Sequence, residues 1–169
     1  MVGPRVTVRP VAEADRAPMF AAANDPKLWA QHPDPLRYTE QGFNAYFDGA
    51  LASGTAYAFC ENVSGRVIGS SRYHGHDAEK REVEIGWTFL AREFWGGSYN
   101  REVKSLMLQH AFQFVDTVVF WVGEDNTRSR RAMEKIGGVL RPGTVQRDAA
   151  GDALHVVYEI KARNWRARG

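Results

Sequence analysis

Disulfides, membrane-length apolar runs and a surface of one sign are all missing from this chain. Its 169 residues include a single cysteine, Cys60, so no intramolecular disulfide framework can staple it. No apolar run exceeds five residues (19–23, 56–60 and 118–122), against the roughly 20 needed to cross a bilayer. A formal net charge of +2 is too balanced for a basic surface that grips nucleic acid. No repeat, low-complexity tract or Pro/Ser-rich linker divides the chain. The first residues lack the charged-then-apolar pattern of a leader, so the expected setting is the reducing cytoplasm, with neither membrane nor nucleic acid as partner. What remains is an ordinary globular composition, 44% hydrophobic and 25% charged, over a length that suits one domain. A chain of this size buries roughly 70% of its unfolded surface, enough to fold without disulfide or metal. The 16 glycines and 5 tryptophans are more informative than the averages.

Periodicity orders the elements. Residues 5–10 alternate and end at Pro10, a short strand, and residues 12–24 are helical around Pro18. Prolines 26, 33 and 35 make residues 25–38 a loop. Thr39 caps a helix whose Phe43, Tyr46, Phe47 and Ala50 form one stripe. Strand-like runs follow at 55–61, 66–73 and 82–90, the first two joined by the turn at 63–65. In the third run Val83, Ile85, Trp87 and Phe89 alternate with Glu84, Gly86 and Thr88, and Gly86 marks a bulge or a close backbone approach. Val103, Leu106, Met107, His110, Ala111 and Phe114 form the stripe of a long helix. A buried strand at 117–122, a helix at 127–136 opened by Asp125 and Asn126, and strands near 139–146 and 154–160 complete the order. This is a single layered α/β domain with its core at about 5–160, a mixed sheet carrying helices on its faces, and a basic tail at 161–169 that reads as a solvated end.

The chemistry gathers at two strand-to-helix joints. Gly96, Gly97 and Ser98 lie where the long helix begins, so unpaired amides and the positive end of the helix dipole meet with no Cβ in the way. Such a cradle suits phosphate or pyrophosphate, although a glycine turn alone would show the same letters. There is no Gly-Lys-Ser/Thr and no Gly-x-Gly-x-x-Gly, which excludes the P-loop and the dinucleotide fingerprint. The second joint is Glu124-Asp125-Asn126-Thr127-Arg128-Ser129, leading into Arg130 and Arg131.

Together these joints resemble the acetyl-CoA site of the GNAT superfamily of N-acetyltransferases, closest to the RimJ/RimL branch that acetylates protein N-termini. Trp95-Gly96-Gly97-Ser98-Tyr99-Asn100 is similar to that branch's pyrophosphate loop, and Asn126-Thr127-Arg128-Ser129 to the Asn-x-x-Ser helix beside the pantetheine arm. Glu84-Ile85-Gly86-Trp87 resembles the strand that hydrogen-bonds pantetheine. The resemblance spans about residues 5–160 and implies a mostly antiparallel sheet of about seven strands whose central pair splays apart. It implies acetyl-CoA as co-substrate, held by Trp87, Thr88, Phe89, Trp95, Gly96, Gly97, Ser98, Tyr99, Asn100, Arg101, Asn126 and Arg130. Two positions depart from the pattern: Ser98 stands where the loop usually has glycine, and Met133 where many members carry a proton-donating tyrosine. The resemblance leaves the Ser129 hydroxyl as proton donor to the departing thiolate, and a homodimer is open because members of the branch often pair.

Acetyl transfer needs a neutral amine, a polarised carbonyl and a stabilised thiolate. An α-amine with pKa near 7.8 is roughly 14% neutral at pH 7, a lysine near 10.4 only about 0.04%. An N-terminal acceptor therefore needs little more than a route for its proton, and Glu84 is the candidate base, through water; a solvated or salt-bridged carboxylate is its alternative reading. Trp29, His32 and Tyr38, in the proline-rich segment, are candidate acceptor-binding residues. His74 and His76 have no third ligand at metal spacing, so no metal is expected. The alternatives are an acetyltransferase for a small-molecule amine and an acyl-CoA-binding module without catalysis.

Overall fold

The computed structural model describes residues 1–32, 34–143, 145–146 and 154–166. The chain runs β1 (Val6–Pro10), α1 (Arg16–Ala23), α2 (Pro26–Trp29), α3 (Glu40–Ser53), β2 (Ala56–Glu61), β3 (Val67–Asp77) and β4 (Glu82–Leu90). It continues through α4 (Ser98–Ala111), β5 (Thr117–Gly123), α5 (Thr127–Lys135), β6 (Val139–Leu140), β7 (Val145–Gln146), β8 (Leu154–Lys161) and α6 (Ala162–Arg166). The sheet order is β1-β2-β3-β4-β5-β8-β6, and the two-residue β7 also pairs with β8. All pairings are antiparallel except β4 with β5, so the expected mixed, mostly antiparallel sheet is present.

Local chemistry explains most boundaries. Thr39 Oγ1 accepts the Gly42 amide at 3.1 Å and caps α3, and Gly54 ends it at φ 64°. The α3 stripe of Phe43, Tyr46, Phe47 and Ala50 is buried against α1 and one sheet face, where Met19, Trp29 and Phe89 complete a core. The other face packs α4 through Val103, Met107, Leu108 and Ala111 onto Val8, Ile85, Val118 and Tyr158. The central strands thus have apolar cover on both faces.

Several expectations need correction. The segment 25–38 is not plain loop. Asp25 accepts the Lys27 amide and Pro26 supplies a first-turn residue without an amide, which starts α2, and a 3-10 turn covers Pro35–Tyr38. The run at 139–146 is broken into two short strands, because Pro142 has no amide to donate and Gly143 is left-handed at φ 86°. The tail is also not a free end through residue 166: Ala162 is buried and Trp165 packs on the main core from α6. Along α4 Val103, Met107 and Ala111 are buried as expected, but Lys104 and Leu108 are buried too, Leu106 and His110 are only partly so, and Phe114, beyond the helix, is exposed.

The decisive feature is in β4. Arg72 pairs with Gly86 and Ser70 with Phe89, so two steps on β3 face three on β4, and the extra residue lies at Trp87–Thr88. Trp87 takes φ 51°, a left-handed conformation costly for a bulky side chain. Its carbonyl accepts the Tyr46 hydroxyl at 2.9 Å, and the Arg72 guanidinium covers its indole at 3.7 Å. The bulge inverts the alternation. Val83 and Ile85 face α4, but after it Leu90 faces α4 and Phe89 faces α3. The expectation that Phe89 shares a face with Val83 and Ile85 is therefore overturned, as is the grouping of Thr88 with Glu84.

Gly69 on β3 tests how tightly this region is packed. A Cβ there would come within 2.3 Å of the Phe89 carbonyl oxygen and 3.0 Å of the Phe59 ring. Gly69→Ala is expected to destabilise by about 1–3 kcal/mol, as overpacking does, measured by urea unfolding; an unchanged midpoint would show that β3 and β4 can part there freely.

Candidate active site

Strands β4 and β5 pair only at Glu82–Thr117, Val83–Val118 and Glu84–Val119, and then separate. A cavity of about 320 Å³ occupies the gap. Ile85, Gly86, Trp87 and Thr88 line it from β4, Phe120, Trp121, Val122 and Gly123 from β5, and Asn126, Ser129 and Met133 from the α5 side. His32, Asp34 and Arg37 stand over it from the segment before α3, His155 from β8, and Lys104 from α4. Diverging strands leave backbone amides and carbonyls with no ladder partner, and an extended ligand arm can take their place.

At the start of α4, Gly97 is the N-cap with no side-chain cap, and no acidic residue occupies the first turn. The first amides of a 14-residue helix are therefore offered with the full positive end of its dipole. Gly96 has φ 72°, and Gly97 is exposed, with open space for 4 Å around the position a Cβ would take. Ser98 opens the helix and Arg101 is exposed in its first turn. Tyr99 donates to Glu61 at 2.8 Å, anchoring the helix start to β2, and Trp95 donates its indole N–H to the Leu90 carbonyl at 2.7 Å. Asn126 Oδ1 accepts the Ser129 amide at 3.1 Å and caps α5.

The expected site residues separate into groups. Trp87, Thr88, Asn126, Ser129 and His32 line the cavity. Trp95, Gly96, Gly97, Ser98, Tyr99, Asn100 and Arg101 form the α4 entrance beside it. Glu84 is 5% exposed, which removes the solvated reading, and its carboxylate folds against Gly86: a Cβ there would be 2.6 Å from Glu84 Oε1. Gly86 is thus the close approach that the sequence suggested, with the bulge one residue later. Phe89 is core, against Trp29 and Tyr46. Trp29 does not line the cavity: it is 2% exposed, with its indole N–H given to the Ala23 carbonyl. Tyr38 also lies outside the lining. Arg130 is turned to the Tyr158 hydroxyl and the Glu124 carbonyl.

Three further residues shape the site. Arg128 lies 4.1 Å over the Trp95 ring and donates to the Leu28 carbonyl at 2.9 Å, tying α5 to the α2 segment. Arg37 pairs with Asp34 at 3.0 Å, so the cavity mouth carries a closed ion pair. Lys104 is 3% exposed inside the splay, and burial pushes its ammonium down to about 7. Burial and the nearby Arg37 also hold His32 down to about 3, so it is neutral at physiological pH. A charged group on an otherwise apolar stripe reads as surface in sequence, which hid Lys104.

The family model of the acetyltransferase (GNAT) domain matches residues 5–139. The chain belongs to the GNAT acetyltransferase family. No curated protein matches it significantly. Among solved structures it is similar to a GCN5-related N-acetyltransferase from Brucella melitensis, with TM-score 0.86 and 19% identity over 98% of this chain and 80% of that one. It is also similar to Mycobacterium smegmatis RimJ in complex with CoA-disulfide, with TM-score 0.70 and 20% identity over 96% and 88%. A spermidine N-acetyltransferase from Vibrio cholerae, in complex with CoA and spermine, matches with TM-score 0.73 and 13% identity over 97% and 99%. The protein is an acyltransferase of a family that uses acetyl-CoA, and the open sheet is the GNAT architecture. Among the described residues no group could hold a metal, and no helix is long and apolar enough to cross a membrane.

Gly97 separates binding from folding. Because a Cβ meets nothing there and φ is −103°, Gly97→Ala should leave the melting temperature unchanged. The added methyl stands where a phosphate would approach the amides, so CoA affinity should fall about tenfold, the equivalent of one charge-assisted hydrogen bond. Calorimetric titration with CoA measures this, and equal affinity would move the phosphate site elsewhere.

Proposed function

We propose that this protein transfers the acetyl group of acetyl-CoA directly to a primary amine, and that the acceptor is a protein N-terminal α-amine. The observation that carries the acceptor reading is the charge at the mouth. No unpaired carboxylate lines the cavity among the described residues, since Asp34 is held by Arg37. A polyamine has several cations to satisfy, and the one carboxylate among the described lining residues already pairs with Arg37. An α-amine brings a single charge and is already partly neutral near pH 7, so it needs no strong base.

In this reading the α4 amides, with Arg101, hold the pyrophosphate, and the pantetheine arm runs into the gap between β4 and β5. Backbone amides freed at the Trp87–Thr88 bulge polarise the thioester carbonyl. Glu84 accepts the amine proton through water from behind Gly86, which is small enough to let its carboxylate close to the cavity wall. Ser129 faces the cavity and donates a hydrogen bond to the departing sulfur, which Met133 cannot do.

Thiol release from acetyl-CoA, with short peptides bearing free N-termini set against N-blocked lysine peptides and spermidine, tests the reading. The free N-terminal peptides should be preferred. Preference for spermidine would overturn the acceptor, and no release with any amine despite bound CoA would indicate a non-catalytic binder. Glu84→Gln should lower kcat by about 10²–10⁴, as loss of a general base does; an unchanged kcat with a free N-terminal peptide would remove Glu84 from this role.

A further inference from the structure

Lys104 is the seventh residue of α4, buried among Val103, Met107 and Leu108. Taking an ammonium out of water is costly unless a partner compensates it. Among the described residues Lys104 has no ion-pair partner. Its Nζ donates to Thr88 Oγ1 at 3.0 Å and lies 4.9 Å from the centre of the Phe120 ring. It therefore bridges the gap, touching β4 on one side and β5 on the other, where the two strands have separated.

The hydrogen bonds around it have a direction. Ser71 Oγ donates to the Gly86 carbonyl at 3.1 Å, so the 2.7 Å contact between Ser71 and Thr88 carries the Thr88 proton. The Thr88 oxygen is thus an acceptor for Lys104. Of three ammonium N–H groups, one goes to Thr88 and one meets the Phe120 face. The third is available to the cavity that Lys104 lines. The other chargeable groups around the cavity are Arg37 with Asp34, the neutral His32, and His155 on β8, with Glu84 buried behind Gly86.

We propose that Lys104 is the acid that protonates the coenzyme thiolate as it leaves. The inference rests on the acetyl-transfer reading above. The acceptor nitrogen forms its bond to the carbonyl carbon, the carbon–sulfur bond breaks, and its electron pair goes to sulfur. A Lys104 Nζ proton passes to that sulfur, leaving a neutral amine; the acceptor's proton, taken up by Glu84, leaves to solvent, and a proton from solvent restores the ammonium. Ser129 hydrogen-bonds the sulfur but is a poor source of the proton, since a serine alkoxide is a much stronger base than a thiolate. Burial brings the Lys104 ammonium to about 7, close enough to neutrality to give and regain a proton in each turnover.

The test is ionisation of the thiol of bound CoA, followed by the ultraviolet absorption of its thiolate in wild type, Lys104→Met and Lys104→Arg. In wild type the thiolate should appear at least about one pH unit below the ordinary thiol value near 8.5. Lys104→Met should abolish that shift. Lys104→Arg keeps a charge that gives up no proton, so it should retain the early thiolate yet lose at least about 100-fold in thiol release with an N-terminal peptide. An unshifted thiol in wild type, an equal shift in Lys104→Met, or full turnover in Lys104→Arg would each overturn the role of Lys104. Absence of CoA binding by the wild-type protein would instead overturn the acetyl-transfer reading itself.

Discussion

The extra residue at Trp87–Thr88 of β4 is the constraint on which the rest of this site depends. A regular strand would have continued its pairing with β5 past Glu84, leaving no gap between them. The bulge shifts the β3 register, turns Trp87 to a left-handed φ and sends the strand away from its parallel neighbour. A non-glycine residue in that conformation costs about 1–3 kcal/mol, and the surrounding structure has to hold it there. It is held from above by the Tyr46 hydroxyl on its carbonyl and by Arg72 across its indole. From below, Ser71 grips the Gly86 carbonyl and Thr88 while Lys104 reaches across to Thr88. The two helical layers thus pin one irregularity from opposite sides.

The same displacement distributes the chemistry. Because the alternation inverts, Thr88 turns toward α4 and its buried lysine, and Phe89 drops into the aromatic core with Trp29 and Tyr46. Glu84 stays on the α3 side of the bulge, close against Gly86. The proposed base and the proposed acid consequently lie on opposite faces of the sheet, which suits a reaction that removes a proton from nitrogen and delivers one to sulfur. Arg128 adds a mechanical link, since it stacks on Trp95 just before α4 and holds the backbone of the α2 segment.

Much of this was legible in the sequence. The bounds of β4, the Thr39 cap, the α3 stripe and the glycines at the start of α4 all follow from local rules of pairing, capping and periodicity. The missed features are those that local rules cannot carry. A two-residue period continues through Trp87 on paper, and only the pairing with β3 reveals the inserted residue. Lys104 reads as solvent-facing until the splay supplies a polar cavity beneath the helix. Three prolines look like a loop at 25–38, although Pro26 and Pro35 each begin a helical turn where a missing amide is harmless. The aromatic candidates in that segment divide accordingly: Trp29 became core and His32 faces the cavity.

Amide hydrogen exchange resolved by residue, with and without CoA, tests most directly whether the bulge-made gap seats the coenzyme. The account predicts new protection concentrated at residues 86–89 of β4 and at the first turn of α4, with the β1–β2 edge unaffected. Protection confined to the α4 turn, with residues 86–89 exchanging as fast as in the free protein, would contradict it.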